Sequence, residues 1–333
     1  MNIENIKIGK KNKTFIIAEI GVNHDGDFLK AKKLIKEAKK SGADAVKFQI
    51  INHQESYCKN TQSYNTFRNR KLTIKELFRL KKFAKKNKII FFATPGDFSS
   101  LKIIQNLRLP AIKISSGLLT NTPLILEAAK LKLPMIISTG FSKKRDILKK
   151  IKTIKKVHKK IAILKCTSIY PAPEKKLNLS SIKMFQKKFN YLIGYSDHSL
   201  GINACLTAVS LGAKIIEKHF TLDNKKTGAD HKISLTPKYF KILVKNIRSI
   251  EKMLGYENIF STSEEQKKKE FFHRTLVANS YIKKGEKFTK SNIALKRTNE
   301  KGIKLKPEHF FKVINKKARR DIKQNKLIKY SDF

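Results

Sequence analysis

Between Thr14 and Thr221, eight short apolar runs alternate with amphipathic helical stretches, and nearly every run ends in polar side chains. The runs are Thr14–Gly21, Ala45–Ile50, Ile89–Pro95, Ala111–Gly117, Pro134–Gly140, Ile161–Ser168, Tyr191–Ser199 and Ala213–Thr221. Alternation of this kind predicts parallel strands joined by crossover helices. In the first helical stretch Ala31, Leu34, Ile35 and Ala38 recur at helical spacing with lysines on the other face, and Gly42 is a candidate C-cap. An open doubly wound sheet and a closed (β/α)8 TIM barrel both fit the alternation. The polar strand ends favour the barrel: Glu19, Lys47 with Gln49, Thr94, Lys113 with Ser115 and Ser116, Ser138, Lys165 with Thr167, Ser196 with Asp197 and His198, and Glu217 with His219. Closure gathers all of them at one mouth, where the active sites of this fold lie.

The expected barrel domain covers residues 1–255, finishing with a helix over Pro237–Leu254 and a stop at Gly255. Residues 256–270 are polar and read as a linker. From residue 271 to 333 the pattern changes to short strands around the turn KKGE, which predicts a small β-rich module.

A formal net charge of +48 invites a nucleic-acid reading. The lysines, however, are scattered as KK pairs over every helix instead of forming one basic face with interleaved aromatics. They read as compositional bias on a solvated surface, and no nucleic-acid partner is expected. The positive field would still favour encounter with an anionic substrate. No uninterrupted apolar run is long enough for a transmembrane helix. The opening MNIENIKIGKKNK has no apolar signal core, so a cytoplasmic protein without a membrane partner is expected. Cys58, Cys166 and Cys205 lie far apart without CxxC spacing, which suits reduced thiols.

His198 and His219 end neighbouring strands, each beside a carboxylate (Asp197 and Glu217). Two neutral imidazoles at a barrel mouth are good ligands for a divalent metal and leave positions for water and substrate. The residues alone do not separate cobalt, manganese, iron and zinc. Lys47 and Lys113 stand near the ends of apolar strands, where an unpaired ammonium is costly to bury. Either they pair with Glu19 or Glu217, or they clamp a phosphate and a carboxylate, with the hydroxyls of Thr94, Ser116, Ser138 and Ser196 completing the cradle. Glu19 could act as a general base, or form a plain ion pair with a strand lysine.

The motifs IIAEIGVNHDGD, ADAVKFQ, KISSG, ISTG, LKCTSIYPAP, GYSDHSLG, EKHFTLD and TGADHKISLTP resemble the sialic acid synthase family, which includes the N-acetylneuraminate, legionaminate and pseudaminate synthases. FHRTLVANSYIKKGEKFTKSNIALKR resembles that family's C-terminal SAF, or antifreeze-like, domain, so the likeness spans almost the whole chain. The resemblance implies condensation of phosphoenolpyruvate with N-acetylmannosamine or a related N-acetylated hexose. The products are phosphate and a nine-carbon 2-keto sugar acid. By matching motif it implies Glu19 as the catalytic carboxylate, and Lys47, Thr94, Lys113, Ser116, Ser138, Ser168 and Ser196 around phosphoenolpyruvate. Gln49, Tyr170 and Asp230 would hold the sugar, and His198 and His219 a divalent metal, manganese ahead of magnesium or cobalt. Arg297 would be presented to the partner's sugar site in a domain-exchanged homodimer. This chain departs from the family pattern at Ser168, where neuraminate synthases carry Asn, at the turn ATPGDF, and at KRTN, where Arg297–Asn299 replace the usual RPG. DHK after Ala229 favours a neuraminate or legionaminate synthase over a pseudaminate synthase. Outside the family, the alternatives are a Schiff-base aldolase and a basic nucleic-acid-binding protein.

Overall fold

The computed structural model describes every residue except Ala229 and Tyr256, and the backbone alone of Glu270. It divides into two compact units, Met1–Gly255 and Tyr256–Phe333. The segment expected as a linker begins at Tyr256, outside the described residues, and its polar sequence is not all loop. Ser263–Phe272 is a helix, opened by a capping box between Thr262 and Glu265, with acidic residues in its first turn. Capping and charge complementary to the helix dipole give this polar stretch its helicity without a buried face.

In the first unit eight parallel strands close into a barrel. They are β1 (Phe15–Gly21), β2 (Ala45–Ile50), β3 (Ile90–Pro95), β4 (Ile112–Ile114), β5 (Met135–Ser138), β6 (Ile161–Cys166), β7 (Leu192–Asp197) and β8 (Ile215–His219). The last pairs with the first, setting Ile215 against Phe15 and His219 against Glu19. The helix Phe28–Lys40 is typical of the outer ring. Asp27 caps its start through Leu29 N and Lys30 N, and Ala31, Leu34, Ile35 and Ala38 are the buried residues, as their spacing predicts. Gly42 follows at φ +90°, the left-handed region that lets Ala43 N return to Ala38 O and close the helix end.

Strand side chains alternate between the two faces of a sheet. Outward residues such as Ile16, Val46 and Phe91 pack with Leu34, Ile35 and Leu80 of the helices. Inward residues at the start of the strands, among them Phe15, Ile17, Phe92, Ile136 and Leu164, form an apolar plug. Ile3 and Ile8 of the N-terminal hairpin seal it. Further along the same inward rows the side chains become Glu19, Lys47, Thr94, Lys113, Ser138, Ser196 and Glu217, all buried. The barrel is therefore apolar at its floor and charged at its mouth. No helix among the described residues is long and apolar enough to cross a membrane.

The second unit has its own core of Leu276, Ile282, Phe288, Ile293, Val313 and Ile322, with others around them. Its antiparallel strands β9 (Thr275–Ala278) and β10 (Ile293–Lys296) set Thr275 opposite Lys296.

Candidate active site

The closed register brings Glu19, Lys47, Gln49, Lys113, Ser116, Ser138, Ser196, His198 and His219 into one cavity, with Tyr170 on its wall. Lys47 Nζ lies between two carboxylates, 3.2 Å from Glu19 Oε2 and 3.1 Å from Glu217 Oε2. Lys113 Nζ is 3.6 Å from Glu217 Oε1 and donates to Ser138 Oγ at 2.7 Å. Ser196 Oγ donates to Glu217 Oε1 (2.9 Å), and Gln49 Nε2 to Glu19 Oε1 (3.0 Å). Two ammoniums thus face two carboxylates in a place nearly closed to solvent.

Their protonation follows from that geometry. Burial pushes Glu19 up, against the pull of Lys47, to about 7. Burial acts the same way on Glu217, but Lys113 and Lys47 together outweigh it and hold its carboxyl at about 2. Lys113 is lowered by burial to about 8, whereas Lys47 is raised because its two carboxylates overcome burial. Glu19 is therefore the group of this quartet that takes up a proton near neutrality.

His198 Nδ1 lies 2.9 Å from the carbonyl oxygen of Thr167, which can only accept. In the neutral ring that nitrogen carries the proton, leaving Nε2, 2.9 Å from Tyr170 Oη, with a lone pair. The Tyr170 ring stacks on His198 at 4.1 Å, and the two imidazole centroids are 5.3 Å apart. Burial first, then the neighbouring His198, hold His219 well below the usual histidine range, so its ring is neutral. Its Nδ1 is buried without a hydrogen-bond partner, 3.5 Å from Asp230 Oδ2. Among the described residues no group of three or more His, Cys, Asp or Glu side chains is arranged to hold a metal. Two imidazoles, one with an unused buried nitrogen, nevertheless fit two positions of a divalent cation, the rest falling to water and substrate.

Thr94 is placed differently from the other hydroxyls. Its Oγ1 is buried without a partner on the wall of a neighbouring cavity of about 550 Å³, which shares Gln49 and Ser115 with the first. Ser116 and Ser168 converge on Gly140: Gly140 N–H donates to Ser116 Oγ at 3.0 Å, and a Cβ there would stand 2.0 Å from Ser168 Oγ. Only glycine permits that approach. Arg297 belongs to the second unit, where its Nε donates to the Phe272 carbonyl (2.9 Å) and its guanidinium lies 5.1 Å from the Phe272 ring centroid.

Two expectations about the mouth need correction. Asp197 does not stand beside His198 in the cavity; strand alternation turns it outward, where it meets Lys218 at 2.6 Å. Lys165 likewise alternates with Leu164 of the plug and bonds Thr167 Oγ1 at 2.8 Å. Two participants were passed over. Glu217, expected as a possible partner of Lys47 or Lys113 but not as a site residue, bridges both lysines. Cys166 has its Sγ 3.6 Å from Ser168 Oγ and 3.7 Å from His198 Nδ1. Both were findable by alternation within their strands, since Glu217 lies two residues before His219 and Cys166 two residues after Leu164 of the plug.

Comparison with known proteins gives a consistent picture. A family model described as the NeuB family matches residues 34–258, and one described as the SAF domain matches residues 273–333. The chain is 38% identical to N,N'-diacetyllegionaminic acid synthase of Campylobacter jejuni, covering 95% of this chain and 99% of that one. It is 32% identical to human N-acetylneuraminate-9-phosphate synthase, over 93% of this chain and 90% of the other. The crystal structure of N-acetylneuraminic acid synthetase from Leptospira borgpetersenii, in complex with citrate, superposes with a TM-score of 0.78 at 38% identity. It covers 81% of this chain and 95% of that one.

Proposed function

The chain belongs to the NeuB family, and from that premise we propose that it condenses phosphoenolpyruvate with an N-acetylated hexose, yielding a nine-carbon 2-keto sugar acid and phosphate. The observation that carries the reading is the convergence of Lys47 and Lys113, each almost fully buried, on one hydroxyl-lined cavity beneath two imidazoles. A compact anion with phosphate and carboxylate groups suits that cradle. It would take over the ammoniums from Glu19 and Glu217, and the hydroxyls of Ser116, Ser138, Ser168 and Ser196, with Thr94 alongside, would complete its contacts.

The sugar would lie over Gln49, Tyr170 and Asp230, with the neighbouring cavity as room for its chain. The partner's Arg297 would close over it in a domain-exchanged homodimer. A divalent cation held by His198 and His219, manganese ahead of magnesium or cobalt, would supply Lewis-acid polarisation of the sugar carbonyl. The new C–C bond forms between C3 of the enol and the aldehyde carbon. The aldehyde oxygen takes up a proton; water adds at the cation left at C2 and gives a proton to the Glu19 carboxylate. The C2–O bond to phosphate then breaks, the new C2 hydroxyl passing its proton to the leaving phosphate and becoming the ketone. A second acceptor class, a diacetamido-trideoxyhexose, is favoured by the Campylobacter relative. A phosphate-release assay over a panel of N-acetylated hexoses with manganese decides between them, and release with none overturns the reading. A Schiff-base aldolase would be labelled by borohydride with pyruvate, and this chain is expected to stay unlabelled.

Lys113→Ala is expected to raise the KM for phosphoenolpyruvate at least about tenfold. One charge-assisted contact contributes roughly 1.5–3 kcal/mol, and 1.4 kcal/mol is about a decade. An unchanged KM would mean that Lys113 serves only Glu217.

The pH dependence follows from the same groups. Glu19 accepts a proton only when ionised, so kcat/KM for phosphoenolpyruvate should rise with pH through about 7. Lys113 must carry its proton to hold the anion, so the profile should fall again above about 8. Because kcat/KM reports the free enzyme, these free-enzyme values are the relevant ones. A profile flat from pH 6 to 9 would remove both assignments.

A further inference from the structure

Outside the cavity, on the helix-facing side of the barrel, Lys218 and Asp197 form an ion pair with no solvent exposure on either side chain. An ammonium and a carboxylate in such a place recover in attraction little more than they lose in hydration, so stability alone does not explain them. Their position in sequence does. Asp197 immediately precedes His198, and Lys218 immediately precedes His219.

Asp197 Oδ1 accepts from Ser199 N (2.9 Å) and Ser199 Oγ (2.8 Å), folding residues 197–199 into a turn with His198 at its apex. Lys218 Nζ donates both to Asp197 Oδ2 (2.6 Å) and to the carbonyl oxygen of Ser199. One ammonium therefore holds the residues on both sides of His198, from the strand that ends in His219. Tyr195 Oη (2.9 Å) and Cys205 Sγ (3.4 Å) donate to the remaining carboxylate positions. We propose that Lys218 and Asp197 are positioning residues: they brace the two imidazoles at a fixed separation across the mouth. The brace rests on the two-histidine metal reading above, and it extends that reading to groups that touch neither substrate nor metal.

The test uses the full-length protein and the paired substitution Asp197→Asn with Lys218→Met. Asn keeps an acceptor for Ser199, Met keeps the aliphatic stem, and no charge is left buried alone. Apolar or neutral replacement of a buried pair commonly spares stability, so thermal unfolding should change little. Mn2+ affinity, read from the paramagnetic resonance of free Mn2+, should fall at least about tenfold, the scale on which orienting groups behind metal ligands act. kcat should fall with it, while the KM for phosphoenolpyruvate stays within about twofold. Wild-type Mn2+ affinity and kcat in the folded double variant would overturn the proposal. Should that variant not fold, Ser199→Ala, which removes one bond to Asp197, decides: weaker Mn2+ binding supports the brace, and unchanged binding refutes it. His219→Ala is the control. If it binds Mn2+ normally, the metal reading itself is wrong; if it loses Mn2+ while the double variant does not, only the brace is wrong.

Discussion

His219→Ala and His198→Ala are each expected to lower turnover at least about 10³-fold and to lose bound manganese in step. Polarisation by a metal supplies several kcal/mol of transition-state stabilisation, and about 4 kcal/mol is a thousandfold in rate. The fold should survive. Both side chains sit beyond the apolar plug, and His219 Nδ1 has no hydrogen-bond partner to leave unpaired. Circular dichroism should therefore match wild type for both, and the unfolding temperature for His219→Ala, with a modest drop for His198→Ala, which strips Thr167 O of its bond, while metal analysis and phosphate release fall together. His198→Ala should also loosen Tyr170, whose ring and hydroxyl both rest on that imidazole, and so raise the sugar KM of any residual activity. Full turnover in a chelator-treated, metal-free preparation would sink the assignment of both histidines.

The second large effect concerns Arg297. A chain ending at Gly255 retains all eight barrel strands and their apolar clusters, and should fold by itself. It is expected to lose nearly all condensation activity, as is full-length Arg297→Ala. Mixing Arg297→Ala with His219→Ala and allowing subunits to exchange then becomes informative. In an arm-exchanged dimer, one site of each mixed pair combines an intact barrel with an intact arm. Activity should return to about a quarter of wild type if half the dimers are mixed and sites act independently, by the symmetry of a two-fold dimer. No recovery, with exchange verified by mass-tagged subunits, would mean that Arg297 serves its own barrel or none. KRTN at Lys296–Asn299 is where this arm departs from the family pattern.

Much of the site could be read before any coordinates because a parallel barrel has a simple geometry. Once eight strands are assigned, every second residue faces inward, and the last inward residue of each strand must approach the others. Glu19, Lys47, Lys113, Ser138, Ser196 and His219 follow from that rule. The errors have the same origin. Asp197 and Lys165 were grouped with the mouth because they end strands, although each is one step out of phase with the inward row. Ser168 and Tyr170 follow β6 in loop, where strand alternation no longer applies, and only the motif pointed to them. The helix Ser263–Phe272 escapes a reading by periodicity because its first eight residues are all polar, and hydrophobic periodicity is silent about a helix held by its cap.

The sequence by itself determined the barrel, its alternating core and the identity of the inward polar row, because these depend on local periodicity and on the burial of apolar strands. It could not determine which charges neutralise which. Glu19, Lys47, Lys113 and Glu217 come from four strands spread over some two hundred residues, and only closure of β8 onto β1 sets Lys47 between two carboxylates. The same closure decides that Glu19, and not Glu217, is the carboxyl raised toward neutrality: burial raises both, but at Glu217 Lys113 and Lys47 outweigh it and at Glu19 they do not. Electrostatic energy in a dry site varies with distance over a few ångströms, and distances between remote strands exist only once the barrel is closed.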